Sequence, residues 1–374
     1  MKQRLRRWCA FLRGETVLCI AVVLAAVSCA VVPPDAAYAG YIDWNTLAQL
    51  FSLMAVMQGL QQARFFERLA GWFLGCIRST RTMLFVLVFL PFVFSMVVTN
   101  DVALIAFVPF GLTILRLAGQ QRLAVAQVVL QTIAANLGSM LTPMGNPQNL
   151  YLYNASGLGF GAFCSLTAPY VLASAAGLAA AILCIRPAAL GPIALDAAPG
   201  SRRTLAWCAA GFGLCLLGVF KVVSPVAVAL VVAAALLARG RALLAGVDYA
   251  LLGTFLAFFL FVGNVSRLDS VRQFLSTALA GRVEAVSILA SQVISNVPAC
   301  LLLAGFTHDW RGLIIGCNFG GLGTMIASMA SLISYKLLVK ACPARRGAYL
   351  ALFTALNLAF LAGLCLLYAL APGR

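Results

Sequence analysis

Acidic side chains are scarce in this chain, ten Asp and Glu together against 26 Lys and Arg, and histidine occurs once, at His308. A single histidine excludes a histidine-rich metal cluster. The twelve cysteines include no CxxC pair, which removes the zinc and thiol-redox frameworks that need two close thiolates. Most of them lie inside apolar runs, where a free cysteine behaves as a small hydrophobe. There is no GxxxxGKS or GxxxxGKT phosphate loop and no HExxH pair, so nucleotide hydrolysis and zinc-protease chemistry both lack their residues. Charged residues of either sign make up only 10% of the chain, where a soluble domain carries roughly a quarter. An ordinary soluble fold is thereby excluded. The net charge of +16 could suggest nucleic acid, but polyanion binding needs its basic residues gathered on one solvated face. Here they form short clusters between apolar runs, and no nucleic-acid partner is expected.

What the chain has in abundance is apolar surface: 63% of its 374 residues are hydrophobic and the mean hydropathy is +1.00. Runs of about 20 residues, each able to cross a ~30 Å hydrocarbon core, recur along its length. The expected fold is an all-α polytopic membrane protein, with the lipid bilayer as its surroundings. The amino terminus is basic, and the apolar run Thr16–Val32 precedes Ala37, Tyr38, Ala39 and Gly40, which mimic a signal-peptidase site. At 17 residues the run is longer than the usual signal core, which favours a retained helix. Further crossings are expected at Asn45–Leu60, Leu123–Tyr153 (broken), Phe163–Ile185, Thr204–Phe220, Ser224–Leu237, Asp248–Val265, Leu313–Leu338 (broken) and Ala348–Leu370. The total is about nine.

With the amino terminus in the cytoplasm, 20 of the 26 Lys and Arg fall inside and six outside, a strong positive-inside bias of the kind found in a plasma, or bacterial inner, membrane. Two apolar segments start and end on one side each: Thr82–Leu115 lies between the cytoplasmic Arg81 and Arg116, and Val283–Phe306 between the external Arg282 and Arg311. Both read as re-entrant hairpins. Pro298–Phe306, nine residues or about 13 Å, is too short to cross. Arg64–Arg78 and Arg267–Arg282, which precede the hairpins, read as interfacial amphipathic helices.

The two halves resemble each other. Asn136, Gly138 and Thr142 recur 182 residues later as Asn318, Gly320 and Thr324, and Thr99, Asn100 and Ala103 recur 196 residues later as Ser295, Asn296 and Ala299. Order and polar identity match, and the orientation is opposite. This divides the chain into 1–40 (tail and first helix), repeat 1 at 41–186, a linker and connecting helix at 187–223, and repeat 2 at 224–374. Inverted repeats with broken helices meeting near the midplane describe a secondary transporter scaffold.

Unwound backbone at membrane depth is tolerated only where it is buried in protein or lines a wet cavity, so the polar breaks mark a site. Helix amino ends carry partial positive charge and suit an anion. The candidate binding residues are Thr99, Asn100 and Asp101 at the first tip and Ser295 and Asn296 at the second. Those of the breaks are Asn136, Gly138, Thr142, Asn146 and Asn149, with Asn318, Gly320, Thr324 and Ser328 in the second half. Asn146 suits an N-cap and Pro147 a first helical position. Asp101 is a carboxylate at mid-membrane depth with no Lys or Arg near that depth, so it calls for a proton or a bound cation. A sodium ion near Asn100, Asp101 and Asn296 would serve. No cofactor is expected; the coupling ion is Na+ or H+, unless a separate ATPase subunit supplies the energy.

At Thr99 to Leu104, Leu141 to Asn149 and Ser291 to Pro298 the chain resembles the ion transporter superfamily, in its citrate-transporter-like and arsenical-pump membrane protein branch. The resemblance implies a homodimeric elevator-type transporter in which tips and breaks bind substrate and coupling ion. Dicarboxylate members carry Ser-Asn-Thr at both tips; here Asp101 and Val297 stand where that threonine would be. The expectation is a gradient-driven transporter of a small anion. Arsenite/proton exchange and sodium/proton antiport are the alternatives within transport. An intramembrane enzyme is the rival of another class, and it lacks a second mid-membrane aspartate and a histidine within a span.

Overall fold

The computed structural model describes residues 15–66, 68, 77–191, 202–239 and 241–370, and these are helical almost throughout, with no strand among them. In chain order the helices are α1 (Thr16–Val31), α2 (Trp44–Gln62), α3 (Thr80–Phe94), α4 (Asn100–Leu117), α5 (Ala124–Gly138), α6 (Pro147–Ser156), α7 (Phe160–Leu183) and α8 (Arg202–Val219). There follow α9 (Pro225–Arg239), α10 (Tyr249–Val265), α11 (Asp269–Leu279), α12 (Val283–Ile294), α13 (Asn296–Ala304), α14 (Trp310–Phe319), α15 (Met329–Ala341) and α16 (Arg346–Leu370).

Short polar side chains start several of these helices by accepting from an otherwise orphaned amide: Asp43 from Thr46, Ser79 from Thr82, Asp248 from Leu251 and Asp309 from Gly312. Each cap therefore sets where an apolar run begins. Both long spans expected to be broken are broken. α5 and α6 are separated by residues 139–146, and α14 and α15 by residues 320–328. The stretch Arg267–Arg282, read from sequence as interfacial, contains the helix α11, which is bent by 104° relative to α10. Its counterpart at Arg64–Arg78 lies largely outside the described residues.

The polarity of the molecule is that of a protein in lipid. Large apolar side chains such as Val23, Leu172, Leu230, Leu289 and Leu370 face outward, while Gln127, Gln131, Thr132, Asn149 and Ser331 are fully buried. α5 is the central helix: 14 of its 15 residues are buried, against α3, α4, α7, α15 and α16. Its glutamines repair the helices beside it. Pro91 inside α3 has no N–H to give Leu87, and Gln131 Nε2 donates to the Leu87 carbonyl at 2.8 Å instead, reaching the Phe107 carbonyl as well.

Crossing lengths differ from the sequence expectation in one respect. Among the described residues three helical segments, α4, α7 and Pro343–Leu370, are by themselves long and apolar enough to span, and α10 and α11 reach that length only when the bent pair is counted as one. The rest are shorter, or, like α2, carry buried polar residues such as Thr46, Gln49 and Ser52. The two hairpins also differ. α12 and α13 are 12 and nine residues, both too short to cross, whereas α4 is 18 residues, about 27 Å, and exceeds what a half-depth arm requires.

Candidate functional site

The first tip is the turn between α3 and α4. Asn100 opens α4 and is buried; its Oδ1 accepts from the Asp101 amide at 2.9 Å, and its Nδ2 donates to Asn136 Oδ1 at 2.9 Å. Asn136, in the last turn of α5, is the hub. Ser328 Oγ donates to the same oxygen at 3.1 Å, and Asn136 Nδ2 reaches the Gly321 carbonyl at 3.4 Å. A tip of the first half, a break of the first half and the break of the second half thus meet on one side chain. Asn296, the asparagine of the second tip, lies against Gly321, so the second tip and, through Asn136, the first tip both connect to that unwound segment.

The second tip is held differently. Ser295 has φ +71°, a left-handed conformation that a non-glycine residue adopts only under local restraint, and the break supplies that restraint. The Ala327 carbonyl accepts from the Asn296 amide at 2.9 Å and from Ser295 Oγ at 3.3 Å. A second polar knot lies where α6, α13 and α14 pack together. Asn318 Nδ2 donates to Asn149 Oδ1 at 2.7 Å, while Asn149 Nδ2 reaches the Ser139 carbonyl and Asn146 Nδ2 donates to Ser139 Oγ. Asn146 therefore has the N-cap position of α6, but its side chain bonds to Ser139 and not to the helix start. Asn100, Asn136 and Ser328 are brought together, and so are Asn146, Asn149 and Asn318.

Residues repeated in sequence make the same contacts in both halves. Thr142 Oγ1 donates to the Met96 carbonyl, and Thr324 Oγ1 to the Gln292 carbonyl, which stands 196 residues beyond Met96. Both hydroxyls are candidates for cargo, and each uses its proton to tie a break to the hairpin beside it. Gly138 and Gly320 serve the same end. A Cβ on Gly138 would collide with the Phe92 carbonyl and Ser95, and one on Gly320 with Ser291, again 196 residues on. These glycines permit close approach of hairpin and break. Thr99 flanks the first tip as the residue before α4 and makes no side-chain cap bond.

Asp101 stands in the first turn of α4, with Oδ1 buried and without a hydrogen-bond partner. One ion pair joins Arg267 to Asp35 at 2.8 Å, outside the apolar spans, and among the described residues none is seen at Asp101. A small cavity of about 20 Å³ is lined by Glu15 and Asp248, at the starts of α1 and α10, and by Ser295, Val297 and Pro298 at the second tip. Residues that sequence reasoning passed over are Gln292, Ser139 and Gln148. Gln292 Oε1 accepts from the Thr324 amide at 2.8 Å, and its Nε2 donates to the Gly320 and Leu322 carbonyls, so one side chain laces the second break to its hairpin.

A helical, multi-pass membrane protein whose buried polar groups converge on two hairpin tips and two helix breaks has the construction of a membrane transporter. The family model described as "Citrate transporter" matches residues 7–309, and the chain belongs to that family. The inner membrane protein YbiR of Escherichia coli K12 is 30% identical over 303 residues, covering 79% of this chain and 80% of that protein. An uncharacterized transporter of Methanocaldococcus jannaschii is 28% identical over 297 residues, covering 79% and 81% respectively. The silicon efflux transporter LSI3 of rice is 31% identical over 144 residues, 38% of this chain and 29% of that protein. Family and relatives agree on membrane transport.

Proposed function

We propose that the protein is a secondary active transporter of a small anion, driven by a sodium or proton gradient across a plasma membrane of the bacterial inner-membrane type, with its amino terminus in the cytoplasm. The observation that carries the reading is Asp101: a carboxyl group with a buried, unpartnered oxygen, next to the asparagine that joins the first tip to both breaks. An anion bound beside an ionised carboxylate would be repelled. Asp101 is therefore neutral or cation-bound when cargo is present, and a proton or Na+ there couples the gradient to the load. Asn100 and Asn296 supply neutral oxygens for Na+, and the amino ends of α4 and α6 supply partial positive charge for the anion. The matching contacts in the two halves support an inverted repeat, with α3–α4 entering from the cytoplasmic side and α12–α13 from outside. The dimeric elevator arrangement implied by the family resemblance belongs to the same reading.

No Lys or Arg stands among the tip and break residues, so compensation for a highly charged anion is limited to dipoles, amides and a shared cation. That favours a small, weakly charged oxyanion or a monocarboxylate over fully ionised citrate. A second reading is exchange of a neutral oxyacid such as arsenite for protons, and the name of the rice relative, a silicon efflux transporter, favours export as its direction. Proteoliposomes loaded with imposed sodium or proton gradients and offered radiolabelled citrate, acetate, phosphate and arsenite test both. Concentrative uptake of a small anion supports the first reading, high-affinity citrate uptake overturns the charge argument, and movement of arsenite alone transfers the assignment to the second.

A further inference from the structure

Gln148 stands at the second position of α6, between Pro147 and Asn149, and its side chain is 1% exposed. Neither Oε1 nor Nε2 has a hydrogen-bond partner. Buried polar groups in proteins are satisfied in the great majority of cases, so a primary amide open at both ends marks a missing partner. A second open atom belongs to Asn318, which bonds to the residue after Gln148: Asn318 donates to Asn149 Oδ1 and the Ile314 carbonyl, but its own Oδ1 accepts nothing. α6 itself begins without a side-chain cap.

The second half shows that the fold does not require this amide. The residue 182 positions beyond Gln148 is Ala330, at the corresponding second position of α15, and it is fully buried. One break closes over a methyl group; the other holds an amide with nothing to bond. Packing therefore does not explain the glutamine.

We infer that Gln148 is a cargo-binding residue that determines specificity, and that with Asn318 it recognises an oxyacid carrying at least one O–H group. The Gln148 N–H donors suit an oxygen acceptor, while Gln148 Oε1 and Asn318 Oδ1 both need a donor. Whichever way the glutamine amide is oriented, it offers one donor group and one acceptor. A fully ionised dicarboxylate without hydroxyls is an acceptor only and would set its oxygens against the two open amide oxygens. A neutral or partly protonated oxyacid presents both functions. The inference rests on the transport reading and narrows its cargo.

The test uses the full-length protein in proteoliposomes under the gradient that drives uptake, with arsenite and inorganic phosphate as probes that carry O–H groups and alkaline succinate as one that does not. Gln148→Ala copies Ala330, and Gln148→Met keeps the volume while removing the polar atoms. Both variants should raise the half-saturating concentration of the O–H-bearing probe about tenfold, the loss expected when one good hydrogen bond goes, and should not weaken inhibition by succinate, because the amide oxygen that opposes its carboxylates is gone. Wild-type behaviour of Gln148→Met would make the residue a packing element, and unchanged affinity in both variants would mean that its partner is only a resident water; either result overturns the inference while transport stands. Failure of the wild type to move any probe under either gradient overturns the transport reading and this inference together. Should the variants not fold, the unfolding temperature of the wild type decides: arsenite or phosphate should raise it and succinate should not, and the reverse order contradicts the assignment.

Discussion

Asn136 joins the first tip to both breaks, because Asn100, Ser328 and the Gly321 carbonyl all bond to it. Asn136→Ala should therefore lower stability by about 1–3 kcal/mol, the range for leaving buried polar groups unpaired, and should lower uptake more than Asn318→Ala lowers it; chemical unfolding and proteoliposome flux measure the two. The threonines behave otherwise. Since Thr142 and Thr324 donate to hairpin carbonyls, Thr142→Val and Thr324→Val should each cost about 1 kcal/mol of stability and change the half-saturating cargo concentration by less than about twofold. A tenfold change would return the hydroxyls to the cargo. Beyond the end of α1, the Arg267 guanidinium beside Asp35 holds that carboxyl below its ordinary value. A depressed carboxylate pKa stabilises the fold above the unfolded pKa and ceases to do so as pH falls through the folded one. The unfolding temperatures of wild type and Asp35→Asn should differ at neutral pH and converge in acid below the usual carboxylate range, and a gap that persists there would contradict the pairing.

The elements were legible in the sequence to different degrees, for physical reasons. The breaks showed because Gly320, Gly321, Gly323, Pro143 and Pro147 cannot continue an apolar helix, and they appear as unwound chain between α5 and α6 and between α14 and α15. The tips showed because polar residues rarely interrupt apolar runs. What did not show was through-space pairing: Asn149 and Asn318 lie 169 residues apart, and nothing in either neighbourhood announces the other. Gln292 and Gln148 sat unmarked within or beside helical stretches, and the Gln292 lacing became visible only once the 196-residue offset from Met96 was laid on the structure. The length of α4 was also hidden, since apolar composition alone does not say where a hairpin arm ends. Close approach of hairpin and break gives a prediction at this scale. Gly138→Val places a branched side chain against the Phe92 carbonyl, and Gly320→Val one against Ser291; overpacking of this kind costs about 1–3 kcal/mol. Both variants should lose stability by thermal denaturation, whereas Gly161→Val, with open space around its Cβ, should not.

At the scale of the whole molecule the proposed coupling runs through two halves that make matching contacts between hairpin and break. The proposed orientation rests on the distribution of basic residues. On a cysteine-less background, cysteines at Arg81 and Arg116 should react with impermeant reagent from the cytoplasmic side, and those at Arg282 and Arg311 from outside; opposite labelling within either pair would break the hairpin reading. Asn149–Asn318 and Asn136–Ser328 bond across the halves, so movement of one break is felt by the other, as coupled transport needs. The most direct test compares wild type and Asp101→Asn, reconstituted at equal density, for the ratio of internal to external cargo under an imposed gradient and for cargo exchange without one. The account predicts that the variant folds and exchanges cargo but never concentrates it. Concentration equal to that of the wild type would contradict the assignment of Asp101 as the coupling residue, and with it the proposed mechanism.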